Sequence, residues 1–277
     1  MRPMHLVPVS LLALACAKEP APADTAAAAA PQQVTITATD YGFQLPASPI
    51  AAGVTTMTLV NTGKELHQVT LIRLTDGKTV ADLMTALQAP GAPPAWAVAS
   101  GGPNAAAPGG QATATLNLEP GPYAIICFIP SPDGVPHVAK GMVIGMDVQP
   151  AGAPSAALPS GDVQLTMNDY SFSLSGLPAA GPHTVSVSNQ GKEIHEVVVM
   201  RLAPGATPET VAAWFEGGQK GPPPGEPFAG VSGIAPGQLQ DFTADFTPGS
   251  YGLICFAPAP DGKPHFMHGM TMTFTVS

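Results

Sequence analysis

The strongest constraint on this chain is a sixteen-residue stretch that occurs twice. Cys127-Phe-Ile-Pro-Ser-Pro-Asp-Gly-Val-Pro-His137-Val-Ala-Lys-Gly-Met142 returns as Cys255-Phe-Ala-Pro-Ala-Pro-Asp-Gly-Lys-Pro-His265-Phe-Met-His-Gly-Met270. Each copy sets a thiol, an imidazole and a thioether in the same order. A further histidine stands upstream of each, in Asn61-Thr-Gly-Lys-Glu-Leu-His67 and in Asn189-Gln-Gly-Lys-Glu-Ile-His195. His67 and His195, Cys127 and Cys255, His137 and His265, and Met142 and Met270 are each 128 positions apart. The chain is therefore a tandem repeat with no net insertion between its ligand-bearing segments.

Around these residues the pattern is that of strands. Val34-Thr-Ile-Thr-Ala-Thr and Thr55-Thr-Met-Thr-Leu-Val alternate with period two, and Val69 to Leu74, Ala112 to Leu118 and Gly121 to Cys127 are further strand candidates. Only 10% of the 277 residues are charged, while 33 are proline and 30 glycine, which favours short strands and turns over long helices. One helix is expected in each repeat. Thr79 caps a segment whose Val80, Leu83, Met84 and Leu87 keep helical spacing, and Thr207 is its counterpart, with Pro208 at the favoured first position. The expected fold class is all-β, with two tandem Greek-key β-sandwiches, each carrying one short helix.

The N-terminus reads as an export segment, residues 1–16, with Arg2 ahead of an apolar run from Leu6 to Ala15. That run is too short to span a bilayer. Leu12-Ala-Leu-Ala-Cys16 resembles the lipobox of bacterial lipoproteins, which implies lipidation of Cys16, a periplasmic or cell-surface location, and a membrane attachment through the lipid only. Residues 17–33 are an Ala/Pro tether, 34–149 the first domain, 150–161 a linker and 162–277 the second domain. The net charge of −9 argues against nucleic acid and for a basic protein partner. A Cys127–Cys255 disulfide is not expected, because equivalent positions of two domains would have to approach within about 7 Å.

Thiolate, two imidazoles and a thioether select a soft or borderline metal over calcium or magnesium. Zinc also accepts Cys and His, so ligand type alone leaves it open. Both repeats resemble cupredoxins. Gly121-Pro-Tyr-Ala-Ile-Ile-Cys127 and Gly249-Ser-Tyr-Gly-Leu-Ile-Cys255 are similar to the strand leading into the copper cysteine of plastocyanin-like proteins. The Pro136-His137 to Gly141-Met142 ending and its twin, Pro264-His265 to Gly269-Met270, resemble the type-1 ligand loop of copper nitrite reductases. The resemblance implies two mononuclear copper sites, His67, Cys127, His137 and axial Met142 in one, His195, Cys255, His265 and axial Met270 in the other. Met146, Met267 and Met272 are alternative thioethers nearby. Gln68 and Glu196 stand where the family often has asparagine, which leaves the surroundings of the metal open.

Multicopper oxidases and copper nitrite reductases carry a histidine beside this cysteine, whereas Ile126, Phe128, Ile254 and Phe256 flank it here and no His-x-His pair exists. The expectation is a non-enzymatic electron-transfer protein. Electrons would pass through His137 and His265, whose ring edges reach the surface in the family, inside apolar patches of Phe128, Pro136 and Val138 or Phe256, Pro264 and Phe266. Copper buffering or delivery, and a β-sandwich binding module without metal, are the competing readings. His268, in the place of Lys140, is either surface decoration or an imidazole that tunes or competes at the second site, His183 receives no role, Trp96 and Trp214 are packing residues, Asp133-Gly134 and Asp261-Gly262 are turns, and Lys64-Glu65 and Lys192-Glu193 are solvated charges.

Overall fold

The computed structural model describes residues 30–89, 93–152 and 157–277. Cys16, the export segment and most of the tether fall outside them. The first repeat contains β1 (Gln32–Thr39), β2 (Gly42–Gln44), β3 (Ile50–Ala51), β4 (Gly53–Asn61), β5 (Thr70–Leu74), α1 (Val80–Ala86), β6 (Ala97–Ala99), β7 (Gln111–Leu118), β8 (Gly121–Ile126) and β9 (Val143–Gln149). The second contains β10 (Val163–Asn168), β11 (Ser171–Leu174), β12 (Gly181–Asn189), β13 (His195–Leu202), α2 (Pro208–Glu216), β14 (Gly225–Ile234), β15 (Leu239–Phe246), β16 (Gly249–Ile254) and β17 (Thr271–Val276). β6 and β14 escape the sequence pattern because neither alternates cleanly.

In the first repeat β2-β1-β4-β7 faces β3-β9-β8-β5-β6, and in the second β11-β10-β12-β15 faces β14-β13-β16-β17. Alternating strands turn one face inward. Ile36, Leu59, Leu71, Ile125 and Cys127 thus share one core, and Val187, Val199, Leu253 and Cys255 share its twin. Each helix covers the outer face of the sheet that carries the cysteine. Leu83 of α1 packs on Ile72, Ala124 and Ile126, and Val211 of α2 packs on Val198, Met200 and Ile254. Both threonine caps form as expected, each with a reciprocal capping box, and Pro208 opens α2. No helix among the described residues is long and apolar enough to cross a membrane.

The two repeats join edge to edge. β7 and β15 pair at Thr115 and Asp241, making one eight-stranded sheet. Isolated bridges link Ser100 to Ile234 and Pro103 to Val231. The end of α2 reaches across as well, where Gln219 Nε2 donates to Pro130 O at 2.6 Å.

Candidate metal centres

The strand ends bring together what the sequence keeps apart. His67 is held next to Ala106 by two backbone bonds, His67 N to Ala106 O at 3.2 Å and Ala106 N to His67 O at 2.8 Å. Cys127 follows β8, whose register is fixed by Tyr123. The Tyr123 hydroxyl donates to Glu119 O at 3.0 Å and accepts from Glu119 N at 3.1 Å, a corner repeated by Tyr251 and Thr247. The ligand loop then doubles back, with His137 N on Ile129 O and Val138 N on Cys127 O, both at 2.9 Å. Asp133-Gly134 forms its turn, as Asp261-Gly262 does in the second loop. A short 3-10 turn, His137–Lys140, ends at Gly141 with φ 99°, and this left-handed residue returns the chain so that Met142 re-enters the core.

His67, Cys127 and His137 converge, as do His195, Cys255 and His265, with one ligand atom from each within 4.8 Å of the others. All six are fully buried. In the first set the two Nδ1 atoms are 3.2 Å apart and Cys127 Sγ lies 3.4 Å from His137 Nδ1. The second set repeats this at 3.0 and 3.5 Å. Cys127 and Cys255 are free thiols, in agreement with the sequence.

Each imidazole presents its other nitrogen to a carboxylate. His67 Nε2 is 3.4 Å from Asp40 Oδ1 and His137 Nε2 is 2.8 Å from Glu65 Oε2. His195 lies 3.0 Å from Asp169, and His265 lies 2.9 Å from Glu193. A carboxylate only accepts, so Nε2 carries the proton and the Nδ1 lone pair points inward. Two such lone pairs about 3 Å apart beside a thiol repel unless a cation lies among them, and this donor set fits a metal ion.

The electrostatics agree. Burial, then the charge of the neighbouring imidazole, lowers the His67 and His265 pKa values, favouring the neutral ligand form. Burial pushes the Cys127 thiol up to about 11 and the Cys255 thiol higher still, with Glu196 adding to the second. Burial also works against Glu65, but hydrogen bonds from His137, Ser131 and Tyr41 outweigh it and hold that carboxyl below its usual value.

Two expectations change here. Glu65 and Glu193 are not free solvated charges, since they hold the second histidine of each set. Tyr41 and Tyr170 donate to them at 2.9 Å and lie edge-on to His137 and His265. The ring edges of His137 and His265 do not reach the surface, because this Tyr-Glu cover encloses them. Phe128 is exposed, whereas Phe256 is half-buried against Phe215 and Phe266. His268 lies outside the convergent set, bonded to Asp261 at 3.1 Å, and His183 bonds Asp162 and Ala179 O. Met142 and Met270 are fully buried beside their cysteines, Met146 is buried further along the same core, and Met267 is exposed.

The sequence reading missed Asp40, Asp169, Tyr41 and Tyr170. Their signal is the repeated Asp-Tyr-x-Phe at 40–43 and 169–172, one residue out of step with the 128-residue offset.

No family model and no curated protein matches this chain. Among solved structures, auracyanin B is similar at 20% identity, over 44% of this chain and 93% of its own, with a TM-score of 0.30. Each repeat folds as the two-sheet β-sandwich expected from the sequence. A blue copper oxidase from Nitrosomonas europaea aligns over 89% of this chain and 86% of its own, at 16% identity and a TM-score of 0.27. The copper nitrite reductase of that organism aligns over 90% and 94%, at 13% and 0.26. These similarities correct the expectation of a non-enzyme. The blue copper oxidase and the copper nitrite reductase, both enzymes by name, align over both repeats.

Proposed function

We propose that this chain binds copper in both repeats and serves electron transfer. His67, Cys127 and His137 would hold one ion and His195, Cys255 and His265 the other, with Met142 and Met270 as weak thioether donors, in two mononuclear type-1 centres. The observation that carries this reading is the convergence of two inward Nδ1 atoms and a thiol in each repeat, with every outer Nε2 tied to a carboxylate. Bound copper supplies a one-electron couple. The protein's part is to hold the donors on strand ends inside a packed core, where their positions change little between oxidation states. Asp40, Glu65, Asp169 and Glu193 fix the tautomers, and full burial of the six donors excludes water.

The protein is exported and tethered to a membrane through a lipid on Cys16, and exchanges electrons with a basic redox partner, a reading supported by the apolar run before Cys16 and the net charge of −9.

The test is a Cu(II) titration of the soluble chain from Ala17, followed by visible absorption and electron paramagnetic resonance, alongside Cys127→Ser and Cys255→Ser. Two equivalents giving an intense thiolate-to-copper band, halved by each substitution, are expected. Uptake of Cu(I) without a reversible coloured Cu(II) state would favour buffering or delivery, and no uptake would favour a sandwich without metal.

A further inference from the structure

The interface between the repeats follows an approximate two-fold rule. Asn104 N donates to Gly230 O at 3.3 Å, and Ser232 N donates to Gly102 O at 2.9 Å. The 128-residue offset converts one bond into the other, so each side chain on one half of the interface has a counterpart on the other half. The counterpart of Asn104 is Ser232, and that of Glu196 is Gln68.

The two halves are built differently. Asn104, fully buried, directs its Nδ2 to Glu196 Oε2 at 3.5 Å, Val197 O at 3.4 Å and Val231 O at 3.2 Å, while its Oδ1 accepts from Ala105 N at 2.7 Å. Glu196 continues the chain of bonds. Its Oε1 accepts from Phe256 N at 3.2 Å, and its own N–H points at Cys255 Sγ at 3.5 Å. One asparagine of the first repeat thus braces the residue after His195 and, through it, the residue after Cys255. On the other half the Ser232 hydroxyl is buried without a hydrogen-bond partner, and Gln68 turns away to Thr70 Oγ1 at 3.0 Å. Gln219 of the second repeat does touch the first ligand loop, but at Pro130, away from the Cys127 peptide.

We infer that Asn104 is a positioning residue for the second centre, holding Glu196 across the interface so that docking of the repeats braces the Cys255 segment. The two centres are therefore inequivalent, although their ligands are the same. A brace on the residues beside both a thiolate and an imidazole acts on donor geometry, to which metal centres of this type respond. The inference rests on the copper reading above, but the bridge itself can be tested without metal.

The experiment compares Asn104→Ser, which installs the residue of the other half, with Ser232→Ala as the control, both in the Cys127→Ser background. In metal-free protein, labelling of Cys255 by a thiol reagent should quicken about tenfold in Asn104→Ser, as expected for loss of buried hydrogen bonds, and stay unchanged in Ser232→Ala. With Cu(II), Asn104→Ser should alter the copper hyperfine splitting and midpoint potential of the second centre. The same substitution in a Cys255→Ser background should leave the first centre as it was. If Asn104→Ser does not fold, Glu196→Gln, which installs the residue of the first repeat, is read in the same way. Unchanged Cys255 labelling, or equal shifts at both centres, would overturn the inference. Absence of copper uptake would sink the metal reading alone, because the labelling rate still decides the bridge.

Discussion

Glu65 Oε2 accepts a hydrogen bond from His137 Nε2 at 2.8 Å across 72 positions of sequence, and Glu193 and His265 repeat the pair at 2.9 Å. The carboxylate selects the tautomer that turns Nδ1 inward, and a tyrosine hydroxyl on its other oxygen holds it in place. Each candidate centre is thus a carboxylate-histidine device placed opposite a thiol, closed to water by a Tyr-Glu cover.

Glu65→Gln keeps an acceptor but removes its charge and leaves the amide free to flip. In a Cys255→Ser background, copper affinity at the first centre should fall about 10- to 100-fold. A competition titration against a chelator of known affinity measures this, and Glu193→Gln in the same background should have no effect.

Gly63 sits where a side chain has no room. A Cβ there would lie 2.5 Å from Asp40 Oδ1 and 2.6 Å from His67 Nε2, and Gly191 is equally crowded by Asp169 and His195. Gly63→Ala should cost about 1–3 kcal/mol of stability and weaken copper uptake in the first repeat. Gly176→Ala, where a Cβ meets nothing within 4 Å, is the control. Urea unfolding of both variants, with the copper stoichiometry of each, gives the comparison.

Much of this site was legible because rare residue types recur at one offset. Asn61-Thr-Gly-Lys-Glu-Leu-His67 spells out its own geometry once seen. Asn61 accepts from Gly63 N and donates to Glu65 O and Ala106 O, each at 2.8 Å, and Gly63 admits His67 and Asp40. What stayed hidden were relationships between distant segments. A glutamate beside a lysine reads as solvated until the loop from Cys127 folds over it. Asp40 and Asp169 fall one residue out of step, and nothing local marks Asn104 as a contact of the other repeat. The β6 and β14 segments lack alternation because the first is a run of small residues and the second lies against the first repeat as well as its own sheet.

Asp241 pairs with Thr115 at the junction of the repeats, and its Oδ2 is buried without a partner. Burial raises its folded-state pKa above the ordinary value. An acid raised on folding is better accommodated protonated, so the folded chain gains stability as pH falls through the folded value and carries the cost of the buried charge above it. Asp241→Thr, which copies Thr113 of the first repeat, should stabilise the protein at pH 7 by about 1–3 kcal/mol. The gain should shrink toward about pH 3, where the unfolded chain is protonated too. Urea unfolding at both pH values checks the sign, and a gain that grows on acidification would contradict it.

Met142 and Met146 are both buried in the first core, but only Met142 enters directly from the ligand loop, with its N–H on His137 O at 3.0 Å and its carbonyl accepting from Cys127 N at 3.3 Å. An axial thioether donates weakly to the metal and stabilises the more highly charged oxidised ion more than the reduced one. Met142→Leu, close to volume-conserving and costing less than about 1.5 kcal/mol, should therefore keep the thiolate-to-copper band while raising the first centre's potential. A tenfold loss of preference for the oxidised ion corresponds to about 59 mV in a one-electron couple. Met146→Leu should leave the potential where it was. Spectroelectrochemical titration of both variants in a Cys255→Ser background separates an axial donor from a core methionine, and a shift in Met146→Leu alone would assign the thioether to the wrong residue.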